Sequence, residues 1–564
     1  MKIVLAQQNY HIGNFEANTR QIIDGIREAE ARGADLVVFS ELCVCGYPPR
    51  DFLEFEDFIR RCEAAIDQIR EHTAGIAVLV GAPARNPKPE GKDLFNAAWF
   101  LYEKEVKQVV HKTLLPTYDI FDEDRYFEPA YEWKVIPFKG KRLAVTICED
   151  IWNLGDDPLY RICPMDRLIG QQPDMIINLS ASPFDYDHDI QRKAIVRANV
   201  LKYGLPLFYC NAVGAQTELV FDGGSLVFDA QGNVVRELPL FAPALADVEW
   251  EDLQGERQAA GAAPDPAGAA PFILRPATLS FDPERNIARI HDALVMGLRD
   301  YFRKMNFSRA ILGSSGGIDS AVVLALACEA LGKDNVRAIL MPSPFSSEHS
   351  VSDAVQLSRT LGNPHDIISI EEAYQAFLHT LEPFFEGRPF DVAEENMQAR
   401  IRGNILMSLA NKFGYILLNT SNKSELSTGY GTLYGDMAGG ISVLGDVYKM
   451  QVYALARYIN REREIIPEHI LVKAPSAELR PGQKDSDSLP DYAVMDSLLY
   501  QYIERRQGPA EIIAQGFDEA LVARILRLVN ANEYKRNQFC PIIRVSSKAF
   551  GVGRRVPIVG KYLI

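Results

Sequence analysis

Arg309-Ala-Ile-Leu-Gly-Ser-Ser-Gly-Gly-Ile-Asp-Ser-Ala-Val-Val-Leu324 decides the reading of this chain, because a strand, a glycine-rich turn and a helix start follow one another in it without a break. Ala310 to Leu312 form an apolar strand end, Ser314 to Ser320 are too small and flexible to continue it, and a long apolar helix is expected from about Ala321. Gly316 and Gly317 let the backbone approach an anion closely. The free N–H groups and positive dipole end of the following helix would hold that anion, a phosphate. Asp319 is the unusual member. Beside bound phosphates a carboxylate adds repulsion unless a divalent cation lies between them, which assigns Asp319 to Mg²⁺. An isolated Ser-Gly-Gly is more often an ordinary strand-to-helix turn with Asp and Ser as caps, so the rest of the chain has to decide.

The 564 residues are enough for two to four domains, each with its own core. A formal net charge of -15 argues against an extended nucleic-acid footprint, while leaving room for a local basic pocket that takes a phosphorylated small molecule. No run approaches the ~18 apolar residues of a spanning helix, and Met1-Lys-Ile-Val-Leu-Ala-Gln-Gln-Asn9 does not read as a signal peptide. Neither a membrane nor a nucleic acid is therefore an expected partner. Eight cysteines scattered over so long a chain fit a reducing cytoplasm, and Cys43 and Cys45 lack the second pair or the histidine that would complete a zinc site.

Strand candidates in the first part are Lys2 to Gln7, Asp35 to Ser40, Ile76 to Gly81, Asn96 to Tyr102, Val106 to Leu114, Leu143 to Ile147, Met175 to Leu179, Leu207 to Asn211 and Ser225 to Asp229. Together they suggest one large, well-covered sheet. Phe15 to Arg32 and Asp189 to Tyr203 read as helices, the second closed by Gly204. Gln258 to Pro271 is small residues and prolines, a linker. Beyond it, Asn286 to Met305 reads as a helix, and Val336 to Met341 and Tyr415 to Asn419 as strands each preceded by a helical stretch. That is the pattern of a doubly wound parallel sheet with ligands at the carboxyl ends of its strands.

Three strand ends in the first part carry reactive groups: Glu41, Lys112 and Cys148. If the strands are neighbours, these ends meet at one edge of the sheet. A thiol is mostly protonated at neutral pH, so a nucleophilic Cys148 needs a base, which Glu41 supplies, and Lys112 suits the oxyanion formed on a carbonyl. Singly, each has a plainer reading: Cys148 as core, Glu41 as a helix cap, Lys112 as a surface charge. With their flanks, Ser40-Glu41-Leu42, Gly46-Tyr47-Pro48, His111-Lys112-Thr113-Leu114-Leu115-Pro116 and Cys148-Glu149-Asp150-Ile151-Trp152, they resemble the amidase domain of the nitrilase superfamily. The resemblance implies an α-β-β-α sandwich, a Glu41, Lys112, Cys148 triad and glutamine contacts at Tyr118, Ser180 and Tyr186. It also implies a second glutamate, for which Glu123 is the candidate.

Ser315-Gly-Gly-Ile-Asp-Ser320 lacks the lysine of a Walker A loop, so transfer of a γ-phosphate is not its natural chemistry. It matches the SGGxDS loop of the N-type ATP pyrophosphatases. Thr420-Ser-Asn-Lys-Ser-Glu-Leu-Ser-Thr-Gly-Tyr-Gly-Thr-Leu-Tyr-Gly-Asp436, Gly445-Asp-Val-Tyr-Lys449, Asn396-Met-Gln-Ala-Arg-Ile-Arg402 and Tyr534-Lys-Arg-Asn537 are similar to the NAD synthetase branch of that group. With the amidase domain in front, the whole chain resembles the bacterial glutamine-dependent NAD synthetases. The resemblance implies residues 1–255 as a glutaminase domain, 256–275 as linker and 276–564 as a Rossmann-like synthetase domain. It implies ATP on Gly313, Ser314, Ser315, Gly316, Gly317, Ile318, Asp319, Ser320 and Thr420, and deamido-NAD on Asn396, Glu425 and Lys535. Asp319 and Glu425 then serve Mg²⁺, with the metal and substrate roles of Glu425 both open.

Lys449 is read either as a phosphate contact or as a solvated helix-start lysine. Leu479 to Pro490 is read either as a lid over substrate or as a surface loop. The implied partners are small molecules and further copies of the chain, a homo-oligomer with dimeric synthetase domains. The implied reaction is an ATP-dependent C–N ligation fed by glutamine, with a shielded path for ammonia. A different glutamine-fed adenylating amidotransferase, and a nucleotide-binding regulator with a vestigial amidase domain, are the alternatives.

Overall fold

The computed structural model describes residues 1–155, 158–253, 280–487 and 489–563. The expected linker at 256–275 lies outside the described residues. The chain forms two compact units, Met1–Gln216 with Val220–Thr278, and Thr217–Leu219 with Leu279–Ile564.

In the first unit, β1 (Lys2–Gln7), β2 (Leu36–Val38), β3 (Ala77–Arg85), β4 (Leu94–Tyr102) and β5 (Glu105–His111) lie in one sheet. A second sheet holds β6 (Ile136–Phe138), β7 (Lys141–Ile147), β8 (Met175–Ser180) and β9 (Leu207–Asn211). A hairpin of β10 (Val213–Gln216) and β11 (Leu219–Asp222) follows, and then β12 (Leu226–Phe228) and β13 (Val234–Glu237) extend the second sheet. The last strand, β14 (Ala244–Glu249), returns to the first sheet. The orders are β14-β1-β2-β3-β4-β5 and β13-β12-β9-β8-β7-β6. The single large sheet expected from the strand series is therefore two sheets of six strands.

Alternation with period two explains the layering. Ile3 and Leu5 of β1 face Val145, Ile147, Ile177 and Leu179 of the second sheet in one core. Val4 and Ala6, pointing the other way, pack on Ile22, Ile26 and Ala29 of α1 (Phe15–Ala31) and on Ala65, Ile66 and Ile69 of α2 (Glu56–Arg70). The outer face of the second sheet is covered likewise by α3 (Pro164–Leu168) and α4 (His188–Tyr203), through Met165, Leu168, Ile195, Val196 and Val200. Gly204 closes α4 in the left-handed conformation. The result is the α-β-β-α sandwich.

In the second unit α5 (Ile287–Lys304) leads to β15 (Ala310–Gly313), and α6 (Ile318–Leu331) follows at once. The helix begins three residues before the expected Ala321, because Gly317 is its N-cap and the turn before it is short. Next come β16 (Val336–Leu340), α7 (Glu348–Leu361), β17 (His365–Ile367), α8 (Glu371–Phe385) and α9 (Val392–Phe413). The sheet is completed by β18 (Ile416–Asn419) and, after α10 (Lys423–Thr428), β19 (Ile441–Ser442). The helices α11 (Lys449–Ile459), α12 (Glu468–Val472) and α13 (Tyr492–Ile503) come after it. All paired strands are parallel, in the order β17-β16-β15-β18-β19. The direction of winding reverses between β15 and β18, so a crevice opens at their carboxyl ends. No helix among the described residues is long and apolar enough to cross a membrane.

Candidate active sites

Glu41 and Lys112 follow strands of one sheet and Cys148 follows a strand of the other, so the groups meet across the sandwich rather than along one sheet edge as expected. Lys112 is fully buried, which removes the surface-charge reading. Its Nζ donates to Glu41 Oε1 at 2.7 Å and to Glu123 Oε1 at 2.8 Å. Glu41 is held on every side. Asn96 Nδ2 donates to Oε1 at 2.7 Å, the Ala181 N–H donates to Oε2 at 3.0 Å, and the Glu41 turn lies so close on Gly81 that a Cβ there would sit 2.3 Å from Leu42 N. Glu123, the candidate second glutamate, also accepts from the Tyr47 hydroxyl at 2.8 Å.

Cys148 opens a 3₁₀ turn directly after β7, at φ 44, a left-handed conformation that an L-residue adopts only at a cost. Sharp strand-to-helix turns of this kind present a nucleophile at a sheet end. Burial pushes the thiol pKa well up; the Glu41 carboxylate adds to this and the Lys112 ammonium opposes it. The resting group is a thiol in need of a base. Asp150, in the same turn, accepts from the N–H groups of Thr113 (3.0 Å) and Leu114 (2.9 Å) with one oxygen and from Ile147 N–H (3.0 Å) with the other. It thereby ties the segment after Lys112 to the residue before Cys148. Those two bonds also end β5 at His111, short of the expected Leu114.

Of the three expected glutamine contacts, Tyr118 donates its hydroxyl to Glu149 Oε1 at 2.9 Å, and Tyr160 donates to the same oxygen at 3.2 Å. Ser180 donates to Asn178 Oδ1 at 2.6 Å, and Asn178 Nδ2 reaches the Cys148 carbonyl at 3.4 Å. Tyr186 is buried. Glu149 and Tyr160 are residues that sequence reasoning missed. A buried carboxylate capped by two phenols beside the nucleophile suits an ammonium-bearing substrate, and the only signal for it was adjacency to Cys148.

In the second unit a cavity of about 300 Å³ lies at the ends of β15 and β18, lined by Gly313 to Ser320, Thr420, Glu425 and Lys449. The Gly313 to Ser320 loop is held by its own small side chains: Ser320 Oγ accepts from Ser315 N at 3.2 Å and donates to the Gly317 carbonyl at 3.0 Å. Gly316 has φ 77 and lies against the first turn of α7; an added Cβ would be 2.2 Å from the Ser350 carbonyl oxygen. Ser314 Oγ is buried without a partner.

Lys449 is buried, not a solvated helix start. Its Nζ is 2.5 Å from Asp319 Oδ2 and 3.8 Å from Glu425 Oε1. Burial pulls the ammonium pKa down, but the charges of Asp319 and Glu425 outweigh it and leave it raised. Glu425 is pushed up to about 8 by burial and by the neighbouring Asp319 carboxylate. Behind them Asp496 of α13, pushed up to about 7 by burial, accepts from Ser424 Oγ and from Met450 N–H and so fixes the start of α11 that carries Lys449.

Asn396 and Lys535 do not line this cavity. Asn396 Oδ1 accepts from Thr432 Oγ1 at 2.6 Å, and Lys535 Nζ donates to the carbonyls of Gly429 and Gly431 at 2.8 and 2.9 Å, so both brace the 429–432 turn. Within the 479–490 stretch Pro481, Gly482, Lys484, Ser486 and Asp487 are exposed, but it is anchored at Leu479 and Asp485. Leu479 lines the cavity and accepts from Gln398 Nε2, and Asp485 is buried with the hydroxyls of Tyr430 and Tyr492 on it. Among the described residues no group of three or more His, Cys, Asp and Glu could hold a metal by itself.

Both units match known protein families. A carbon-nitrogen hydrolase family model matches residues 2–258 and an NAD synthase model matches residues 290–539. The chain is 44% identical to a glutamine-dependent NAD(+) synthetase of a Synechocystis species, over 99% of this chain and 98% of the relative. It is 41% identical to the Thermotoga maritima enzyme of that name, over 100% of this chain and 99% of the relative. A solved Acinetobacter baumannii glutamine-dependent NAD+ synthetase in complex with ADP superposes with a TM-score of 0.75 at 37% identity, covering 100% of this chain and 99% of that one. The chain belongs to the glutamine-dependent NAD(+) synthetase family.

Proposed function

We propose that the chain makes NAD from deamido-NAD, ATP and glutamine, with residues 1–255 releasing ammonia and residues 276–564 using it. The observation that carries this reading is the pairing in one chain of a buried Cys-Lys-Glu set with a glycine loop that has Asp319 where a γ-phosphate-transferring loop has lysine. In the first reaction Glu41 takes the proton of Cys148. The sulfur attacks the glutamine side-chain amide, ammonia leaves, and water hydrolyses the thioester to glutamate. Lys112 faces the developing oxyanion, and Tyr118, Ser180 and Tyr186 with Glu149 orient the amino acid. In the second reaction the nicotinate carboxylate attacks the α-phosphorus of ATP and pyrophosphate departs along the Gly313 to Ser320 loop. Ammonia then displaces AMP from the acyl adenylate. Thr420 contacts ATP and Glu425 serves deamido-NAD, while Asn396 and Lys535 act on that substrate through the 429–432 turn they brace.

Asp319 and Glu425 fit Mg²⁺: both are hard oxygen donors, both lie beside the phosphate loop, and both already converge on one positive charge, the Lys449 ammonium. When bound, the metal neutralises charge on the ATP phosphates. Two carboxylates suffice, since this ion is commonly held by one or two protein oxygens together with substrate phosphates. We further propose a homo-oligomer. The reading is tested by Cys148→Ala assayed with glutamine and, separately, with ammonium. Glutamine-driven NAD synthesis is expected to disappear while ammonium-driven synthesis persists; loss of both in a folded protein contradicts the assignment.

A further inference from the structure

Asp319 and Glu425 each have two carboxylate oxygens, and in each case one oxygen is already engaged by the same residue. Asn422 is fully buried at the N-cap of α10. Its Nδ2 donates to Asp319 Oδ1 at 2.8 Å. Its backbone N–H donates to Glu425 Oε2 at 3.2 Å, and its Oδ1 accepts from the Glu425 N–H at 3.0 Å. The remaining oxygens, Asp319 Oδ2 and Glu425 Oε1, are the two that face the Lys449 ammonium.

One residue thus selects which oxygen each carboxylate presents, its side-chain amide acting on Asp319 and its backbone N–H on Glu425, and both selected oxygens point to one place. The arrangement is itself anchored. Lys423, the next residue, is fully buried with its Nζ on Asp446, Glu504 and Ser546 at 2.9, 2.9 and 2.7 Å, so the turn that carries Asn422 has little freedom to follow a moving carboxylate.

We propose that Asn422 is the positioning residue of the cation site, aiming Asp319 and Glu425 at a shared divalent ion without touching it. The proposal rests on the reading of those two carboxylates as Mg²⁺ ligands. Outer partners that orient ligating carboxylates typically set metal affinity by about 10–100-fold. Serine keeps the capping bond to the Glu425 N–H and is as good an N-cap as asparagine, but it has no amide to reach Asp319.

The test uses the full chain with Mn²⁺ as probe, its affinity measured by paramagnetic relaxation of water protons in the presence of a non-hydrolysable ATP analogue. Wild type, Asp319→Asn and Asn422→Ser are compared, with the melting temperature and glutamine hydrolysis as fold checks. Asn422→Ser is expected to weaken Mn²⁺ binding by about 10–100-fold, with the melting temperature and the metal-free affinity for the analogue in EDTA unchanged. Asp319→Asn is expected to lose the metal signal. If Asp319→Asn binds Mn²⁺ like wild type, the cation-site reading is wrong. If Asp319→Asn loses the ion and Asn422→Ser does not weaken it, the carboxylates are ligands and the role given to Asn422 is wrong. Should the serine variant not fold, Asn422→Thr, which also caps and also lacks the amide, carries the same expectation.

Discussion

Glu123→Gln should make the amidase unit less sensitive to alkali. Glu123 is 5% exposed and shares the Lys112 ammonium with Glu41, so one cation faces two buried carboxylates. Burial raises the Glu123 carboxyl from its ordinary 4.5 to about 7, Lys112 opposes the rise, and Glu41 adds to it. The sign follows from linkage. Below about 4.5 the group is protonated in the folded and unfolded chains alike and contributes nothing. Between about 4.5 and 7 the folded chain keeps a proton that the unfolded chain has released, so stability falls as the pH rises. Above 7 the full cost is present, at most about 3 kcal/mol. Glutamine removes this cost while still accepting from Lys112 and Tyr47 through its Oε1. It leaves an amide facing both the Asn96 amide, now 3.3 Å from Glu123 Oε2, and the Lys112 ammonium, 2.8 Å from that oxygen, a penalty that does not depend on pH. The variant should therefore be the less stable protein at pH 5 and gain on wild type up to pH 8.5. In a domain of this size about 3 kcal/mol corresponds to a relative shift of roughly 6–12 °C in melting temperature. Scanning calorimetry from pH 5 to 8.5 measures it. Parallel curves for the two proteins would refute the account, because they would mean that Glu123 is ionised throughout.

Gly316→Ala is expected to abolish synthesis from ammonium while sparing glutamine hydrolysis. Its Cβ must retreat from 2.2 Å to about 3.4 Å from the Ser350 carbonyl oxygen, at a left-handed φ, and a loop displaced by about 1 Å loses on the order of 10²-fold in rate. Retention of ATP-dependent turnover would count against this loop as the pyrophosphate grip. Asp150→Asn should act in the opposite sense. An amide cannot accept on both sides, so either the Ile147 N–H or the Thr113 and Leu114 pair is left unpaired, and glutamine-driven turnover falls by roughly 10²-fold. Ammonium-driven turnover should be untouched, and an equal loss in both assays would show a general failure of folding instead.

Most of the scaffold was legible because it is written in local periodicity. The apolar runs that became β1, β7 and β8 marked strands, and Gly204 carries its capping role in the sequence. The partition into two sheets came from the family resemblance and not from periodicity, since alternation is satisfied equally by one sheet or two; pairing of β14 with β1, across most of the unit, completes the first sheet. Burial of Lys112 was illegible for a related reason. A lysine is almost never buried unless paired, and its partners Glu41 and Glu123 lie 71 and 11 residues away. Lys449 repeats the pattern, a helix-start lysine by sequence whose partner is Asp319, 130 residues distant.

Asn422 marks where local reading stops most sharply. Asn422-Lys-Ser-Glu425 is an ordinary capping box, and the sequence signature predicts both of its bonds, from the asparagine oxygen to the Glu425 N–H and from the Asn422 N–H back to the glutamate. Those bonds account completely for the motif as a helix start, so nothing in it asks for a further role. The asparagine amide is the one group the capping box does not use, and it is the group that meets Asp319, 103 residues earlier in the chain. A serine or threonine would start α10 equally well but would leave Asp319 Oδ1 without this donor, whereas asparagine couples the helix start to the phosphate loop. The distinction between a cap and a positioning residue thus lies in a donor that local structure leaves over, and only the parallel pairing of β15 with β18 brings that donor to its acceptor.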